Sequence, residues 1–144
     1  MSVHQAIITH LWTLMRSDPT LAAEFGSDWP GPQARPPADT PWPYLFHKLE
    51  TSESFDNATR SGTYRVEIWD YGVSLNRIWR IRSRLMHLLD LSRHNIPGQG
   101  TLRLWFNTET SMPNEDTNVM THALVFTIRH ARAGEVAGII QERE

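Results

Sequence analysis

The sequence predicts an α+β domain: one mainly antiparallel four-stranded sheet with an N-terminal helix and one long crossover helix, in the order α-β-β-α-β-β. Three observations lead there. Four segments alternate apolar and polar residues with a period of two, the signature of half-buried strands. They fall into two pairs, each split by a polar segment. Between the pairs lies one stretch whose apolar residues recur at helical spacing.

Val3 to Arg16 places Val3, Ile7, Leu11, Leu14 and Met15 on one helical stripe, widened by Ala6, Ile8 and Trp12. Ser17-Asp18-Pro19 ends it. Asp18 then caps a short second helix, with Pro19 at its first position, running through Leu21 to Phe25. A proline-rich loop follows, with prolines at 30, 32, 36, 37, 41 and 43. Tyr44–Glu50 reads as a strand, "TSESFDNATRSG" as a long hairpin tip, and Thr63–Asp70 as the returning strand. Ser74 is the expected N-cap of a helix reaching about Arg93, stopped by Pro97-Gly98. Thr101–Asn107 is the third strand, "TETSMPNEDTN" a polar loop, and Val119–Ala131 the fourth strand. Residues 1–131 form one domain, and 132–144 a C-terminal extension carrying Val136, Ile139 and Ile140 among charges.

On the middle helix Leu75, Ile78, Trp79, Ile81, Leu85, Met86, Leu88 and Leu89 make one wide apolar arc. It matches a sheet face of Tyr64, Val66, Ile68, Leu102, Leu104, Phe106, Leu124, Phe126 and Ile128. The other sheet face carries Arg65, Glu67, Trp69, Arg103, Trp105, Val125, Thr127 and Arg129. Tryptophan and arginine together are typical of subunit interfaces; ordinary exposed cross-strand pairs are the plain alternative. Arg82 lies inside the helix's apolar arc, so it either snorkels at the helix edge or needs a carboxylate, in this chain or on a neighbour. Arg77, Arg80 and Arg84 form a stripe that is either a solvated face or a site for an acidic partner or nucleic-acid backbone.

The net charge of −2 argues against a strong nucleic-acid binder, although 13 of the 14 basic residues are arginine. The absence of cysteine excludes disulfides and thiolate zinc sites. No apolar run reaches the ~18 residues of a membrane span. No phosphate-binding glycine motif or nucleophile elbow occurs. His87, Asp90 and His94 would share a helix face, but an exposed one, and His122 and His130, on the apolar face of the last strand near its two ends, read as edge residues and not as ligands. Catalytic residues, metal ligands and cofactors are therefore all expected to be none.

This order of elements resembles the tail terminator (tail-completion) proteins of siphophages and their prophage and gene-transfer relatives. The resemblance covers residues 3 to 131. It is carried by "DPTLAAEFG" after the first helix, "PWPYLFHKLE", "SGTYRVEIWDYG" ending in a strand with Trp69, the helix "SLNRIWRIRSRLMHLLD", and the closing "ALVFTIRHAR". The proline-rich insert at 29–43 and the loop at 107–118 depart from it. The resemblance implies a structural virion protein of the tail or neck, assembled in the host cytoplasm. Six copies would form a ring that caps the tail tube and joins it to the head–tail connector or stopper protein, with DNA passing through the lumen.

Arg65, Glu67, Trp69, Arg82, Arg103, Trp105 and Arg129 would then face a neighbouring subunit or the lumen, and Val136, Ile139 and Ile140 would dock on a neighbour. A head–tail adaptor or stopper is the close alternative. A small ligand-binding domain or enzyme using the tryptophan-lined face is the distant one.

Overall fold

The computed structural model describes residues 2–26, 28–35, 39, 41–51, 59–72, 74–113 and 118–131. The first helix, α1 (Val3–Arg16), starts on a reciprocal cap: Ser2 Oγ accepts from the Gln5 amide and the Gln5 side chain accepts from the Ser2 amide. The second, α2 (Pro19–Phe25), is capped by Asp18, whose carboxylate accepts from the Leu21 amide at 3.0 Å. Both helices coincide with the sequence reading.

The strands are β1 (Tyr44–Thr51), β2 (Thr59–Tyr71), β3 (Ser92–Ile96), β4 (Gly100–Pro113) and β5 (Val119–Ala131), and α3 (Asn76–Leu89) crosses between β2 and β3. They form a single sheet in the order β1-β2-β5-β4-β3, with every neighbouring pair antiparallel. The expected four-stranded sheet thus has a fifth strand. The helix expected to reach Arg93 stops at Leu89, because Asp90 leaves the helical region and its carboxylate accepts from the Phe106 amide at 2.7 Å. The freed chain pairs with the start of β4. The expected polar loop after Asn107 continues as strand to Pro113. Ser74 does not occupy the N-cap position, which falls on Leu75, though its hydroxyl accepts from the Asn76 amide at 3.2 Å.

One sheet face is sealed by α1 and α3. Tyr64, Val66, Ile68, Leu102, Leu104, Leu124, Phe126 and Ile128 from the sheet meet Ile78, Ile81, Leu85 and Leu89 from α3 and Ile7, Leu11 and Met15 from α1, all buried. Each such side chain contributes roughly 1.5–3 kcal/mol of transfer free energy. The apolar arc on α3 is narrower than its sequence suggests: Leu75 and Trp79 are exposed.

The core also holds polar groups. Tyr64 is fully buried, and its hydroxyl lies 2.7 Å from His47 Nδ1. Burial lowers the His47 pKa to about 4, so the imidazole is neutral and the phenol donates to it. The proline-rich segment packs on α1 at Gly31. There φ is +102°, and an added Cβ would come within 3.1 Å of the Trp12 ring and 3.2 Å of Arg16.

Candidate functional site

The unsealed face of the sheet carries two groups of the predicted residues. The first lies on β2 and its neighbour β1. Glu67 accepts from Arg65 Nε at 2.6 Å and from the Trp69 indole at 2.9 Å, which fixes both side chains flat against the strand. Register places Tyr44 opposite Trp69, and their rings stack with centroids 5.8 Å apart. Trp42 stacks on Tyr44 at 5.2 Å, and Tyr71 lies 6.0 Å from Trp42. An aromatic ladder therefore runs along the β1 side, with Trp42 and Tyr71 exposed at its end. Burial, then the Glu67 charge, raises the Tyr44 pKa, so its hydroxyl stays a neutral donor.

The second group lies at the opposite side of the sheet. Register puts Arg93 of β3, Arg103 of β4 and Arg129 of β5 directly across from one another, and all three are exposed. Trp105, two residues along β4 from Arg103, is half-buried beside them. Like charges placed directly opposite destabilise a sheet. Among the described residues none of the three has a carboxylate partner, whereas Arg65, Arg77, Arg80, Arg82 and Arg84 all do.

The helix arginines are committed within the fold. Arg77 pairs with buried Asp70, Arg80 with Glu24 and Arg84 with the α2 cap Asp18. The stripe expected to be solvated, or to meet an acidic partner, instead fastens α3 to α2 and to the end of β2. Arg82 is likewise separate from the outer-face residues. It forks onto Glu109 of its own chain, with contacts of 2.6 and 2.8 Å.

Glu109 also anchors a polar cluster with Ser111 and His122. The β4 register shifts between Phe106 and Thr108, and this bulge turns Glu109 and Ser111 toward the helix side. His122 on β5 sits between them, with Nδ1 2.8 Å from Ser111 Oγ and Nε2 2.8 Å from Glu109 Oε2. The Arg82 hydrogen bonds, with a smaller contribution from His122, lower the Glu109 pKa to about 2. A reading of 108–118 as loop hides this cluster. The visible signal was the alternation of Glu109 and Ser111 two residues apart.

His122 and His130 lie on the inward face of β5, the apolar face on which their even spacing puts them; both are buried, and His130 Nε2 lies 2.6 Å from the Gln99 carbonyl. The shared helix face proposed for His87, Asp90 and His94 does not exist, because His94 lies on β3, its ring 5.0 Å from that of His10. Among the described residues no group of three His, Asp or Glu side chains converges as a metal site, and no helix is long and apolar enough to cross a membrane. Val136, Ile139 and Ile140 lie outside the described residues.

Neither a protein family nor a curated protein matches this chain by sequence. By structure it is similar to a chain solved in the virion of a native gene transfer agent particle, with a TM-score of 0.73 and 18% identity over 90% of this chain and 98% of that one. The two share a fold along essentially their whole lengths.

Proposed function

We propose that this protein is a structural component of a tailed-phage-like particle. It acts by assembling with copies of itself and with other particle proteins, and it performs no catalysis. The observation that carries this reading is full-length similarity of fold to a virion chain, with almost nothing left over on either side. The outer sheet face fits the role, because it presents tryptophan, tyrosine and arginine from both edges and no element covers it among the described residues.

The finer role we infer is that of a tail terminator: a ring, six-membered by resemblance to that family, which caps the tail tube and joins it to the head connector. Its partners would be the tube protein and the connector or stopper, with DNA passing through the ring, and its location the tail or neck of the particle. Polymerising the tube protein of the same genome with and without this chain tests that role. Tubes of limited length, capped under the electron microscope, are expected. Unlimited growth with the chain unbound would exclude the terminator role, and binding to the connector alone would favour an adaptor or stopper.

One observation favours a second reading, an enzyme. Ser111, His122 and Glu109 form a hydroxyl–imidazole–carboxylate relay with Ser111 exposed. The Arg82 fork on Glu109 supports a structural role instead, since it neutralises the carboxylate that would orient and charge-stabilise the imidazole. A fluorophosphonate probe that labels Ser111 would establish the enzyme reading; the structural reading expects no labelling.

A further inference from the structure

We propose that Leu91 is an assembly knob that seats in the apolar recess beside β1 of a second copy of this chain, with the arginine row of one copy facing Asp28 and Asp39 of the next. The inference rests on the self-assembly reading above and names the surfaces that perform it.

Leu91 is unusual in two ways. It is 83% exposed, the most exposed of the large apolar side chains among the described residues. Its backbone is also left-handed, with φ of 56°, at the position just past the C-cap of α3. Glycine is the default there, because a side chain disfavours that conformation. The chain thus keeps a leucine where the isolated fold gains nothing from it and glycine would be easier. A strained, exposed apolar residue at the end of an element points to a contact outside the chain. Leu91 borders the groove that holds Arg93, Arg103 and Arg129.

The complementary surface lies at the other edge of the sheet. A recess of about 530 Å3 is lined by Phe25, Trp29, Pro41 and Pro43, with Asp28 and Asp39 at its wall. Phe25 and Trp29 stack with centroids 4.5 Å apart and give it a flat apolar floor. Both aspartates are exposed, and neither has a basic partner among the described residues. Arg35 is exposed in the same segment but does not line the recess. The aromatic ladder ending in Trp42 stands alongside and offers ring faces to incoming guanidinium groups.

Knob and recess match in chemistry: an apolar side chain beside a row of positive charge, and an apolar hollow with two carboxylates at its wall. They cannot meet within one molecule, because β3 and β1 are the two outer strands of the sheet, four strand spacings or about 19 Å apart. Two copies can meet through it, and repeated from copy to copy the contact runs head to tail. That contact is heterologous, and it closes into a ring when the rotation per subunit divides a full turn.

Sedimentation velocity on the full chain and four samples tests this: Leu91→Gly, R93E/R103E, D28R/D39R, and an equimolar mixture of the two charge-reversed chains. Leu91→Gly is expected to melt at the same temperature as the parent or higher, yet to assemble with an apparent dissociation constant at least tenfold weaker. Each charge-reversed chain alone should stay monomeric, and their mixture should regain the parent's mass, because reversed row then meets reversed recess. Parent-like assembly of Leu91→Gly, or a mixture that stays monomeric while the parent assembles, would overturn this contact and leave self-assembly standing. A parent that is itself monomeric would remove self-assembly and this contact together.

Discussion

Replacing Glu109 with glutamine tests the polar cluster that joins α3 to the sheet. In the folded chain the carboxylate accepts two hydrogen bonds from Arg82 and one contact from His122, and its pKa falls from 4.5 to about 2. A lowering of that size corresponds to roughly 3 kcal/mol before screening. Glu109 and Arg82 retain 30% and 26% of their side-chain exposure, so solvent screens part of this, and about 1–2 kcal/mol is the expected contribution at neutral pH.

The sign follows from the direction of the shift. A carboxylate with a lowered folded pKa stabilises fully above 4.5, and the contribution disappears as pH falls from there toward 2. Urea titrations of the parent and Glu109→Gln should therefore differ by about 1–2 kcal/mol at pH 7, and the difference should close between pH 4.5 and 2. Asp18, whose pKa is also lowered, weakens both chains alike and cancels in the comparison. Equal stability at pH 7, or a difference that persists unchanged to pH 2, would show that the ionised Glu109 does not stabilise the fold.

Three further outcomes follow from the packing. Asp18→Ala removes both the α2 cap and the partner of Arg84, and should cost about 2 kcal/mol by thermal or urea denaturation; Asp18→Asn keeps the cap and should cost about half as much. Tyr64→Phe leaves His47 Nδ1 without its donor in the core and should cost about 1–2 kcal/mol in the same assay. Gly31→Ala forces a Cβ against Trp12 and Arg16 at a left-handed backbone position, and should lower stability by 1 kcal/mol or more, roughly.

Local rules made much of the fold legible. The α1 stripe, the Asp18-Pro19 start of α2 and the alternation of β5 each follow from a single periodicity or cap, and all three stand at the predicted residues. The inward set on β2 and the start of β4 was equally visible, because one face is buried and the period is two. What stayed hidden depended on distant partners. The helix stops at Leu89 because Asp90 bonds to the Phe106 amide, 16 residues on, and β3 exists only because β4 offers it an edge. The bulge before Thr108 reverses the facing of Glu109 and Ser111, so a polar stretch that reads as loop carries a half-buried network.

The outer face was legible as composition, but its organisation was not. Arg103 and Arg129 were visible as outward-facing residues. That Arg93 joins them in a row needs the register of a strand that the sequence reading had assigned to a helix. The arginines of α3 showed the opposite: a stripe that reads as available for a partner is consumed by Asp70, Glu24 and Asp18, two of them on α2 or at its cap, more than 50 residues away.

Self-assembly of this chain is read from the mass of the purified protein across concentration, measured by sedimentation velocity. A single discrete oligomer is expected, closed and not growing further, that loosens as salt rises because arginine–carboxylate contacts contribute to it. A chain that remains monomeric up to millimolar concentration at low salt would contradict it.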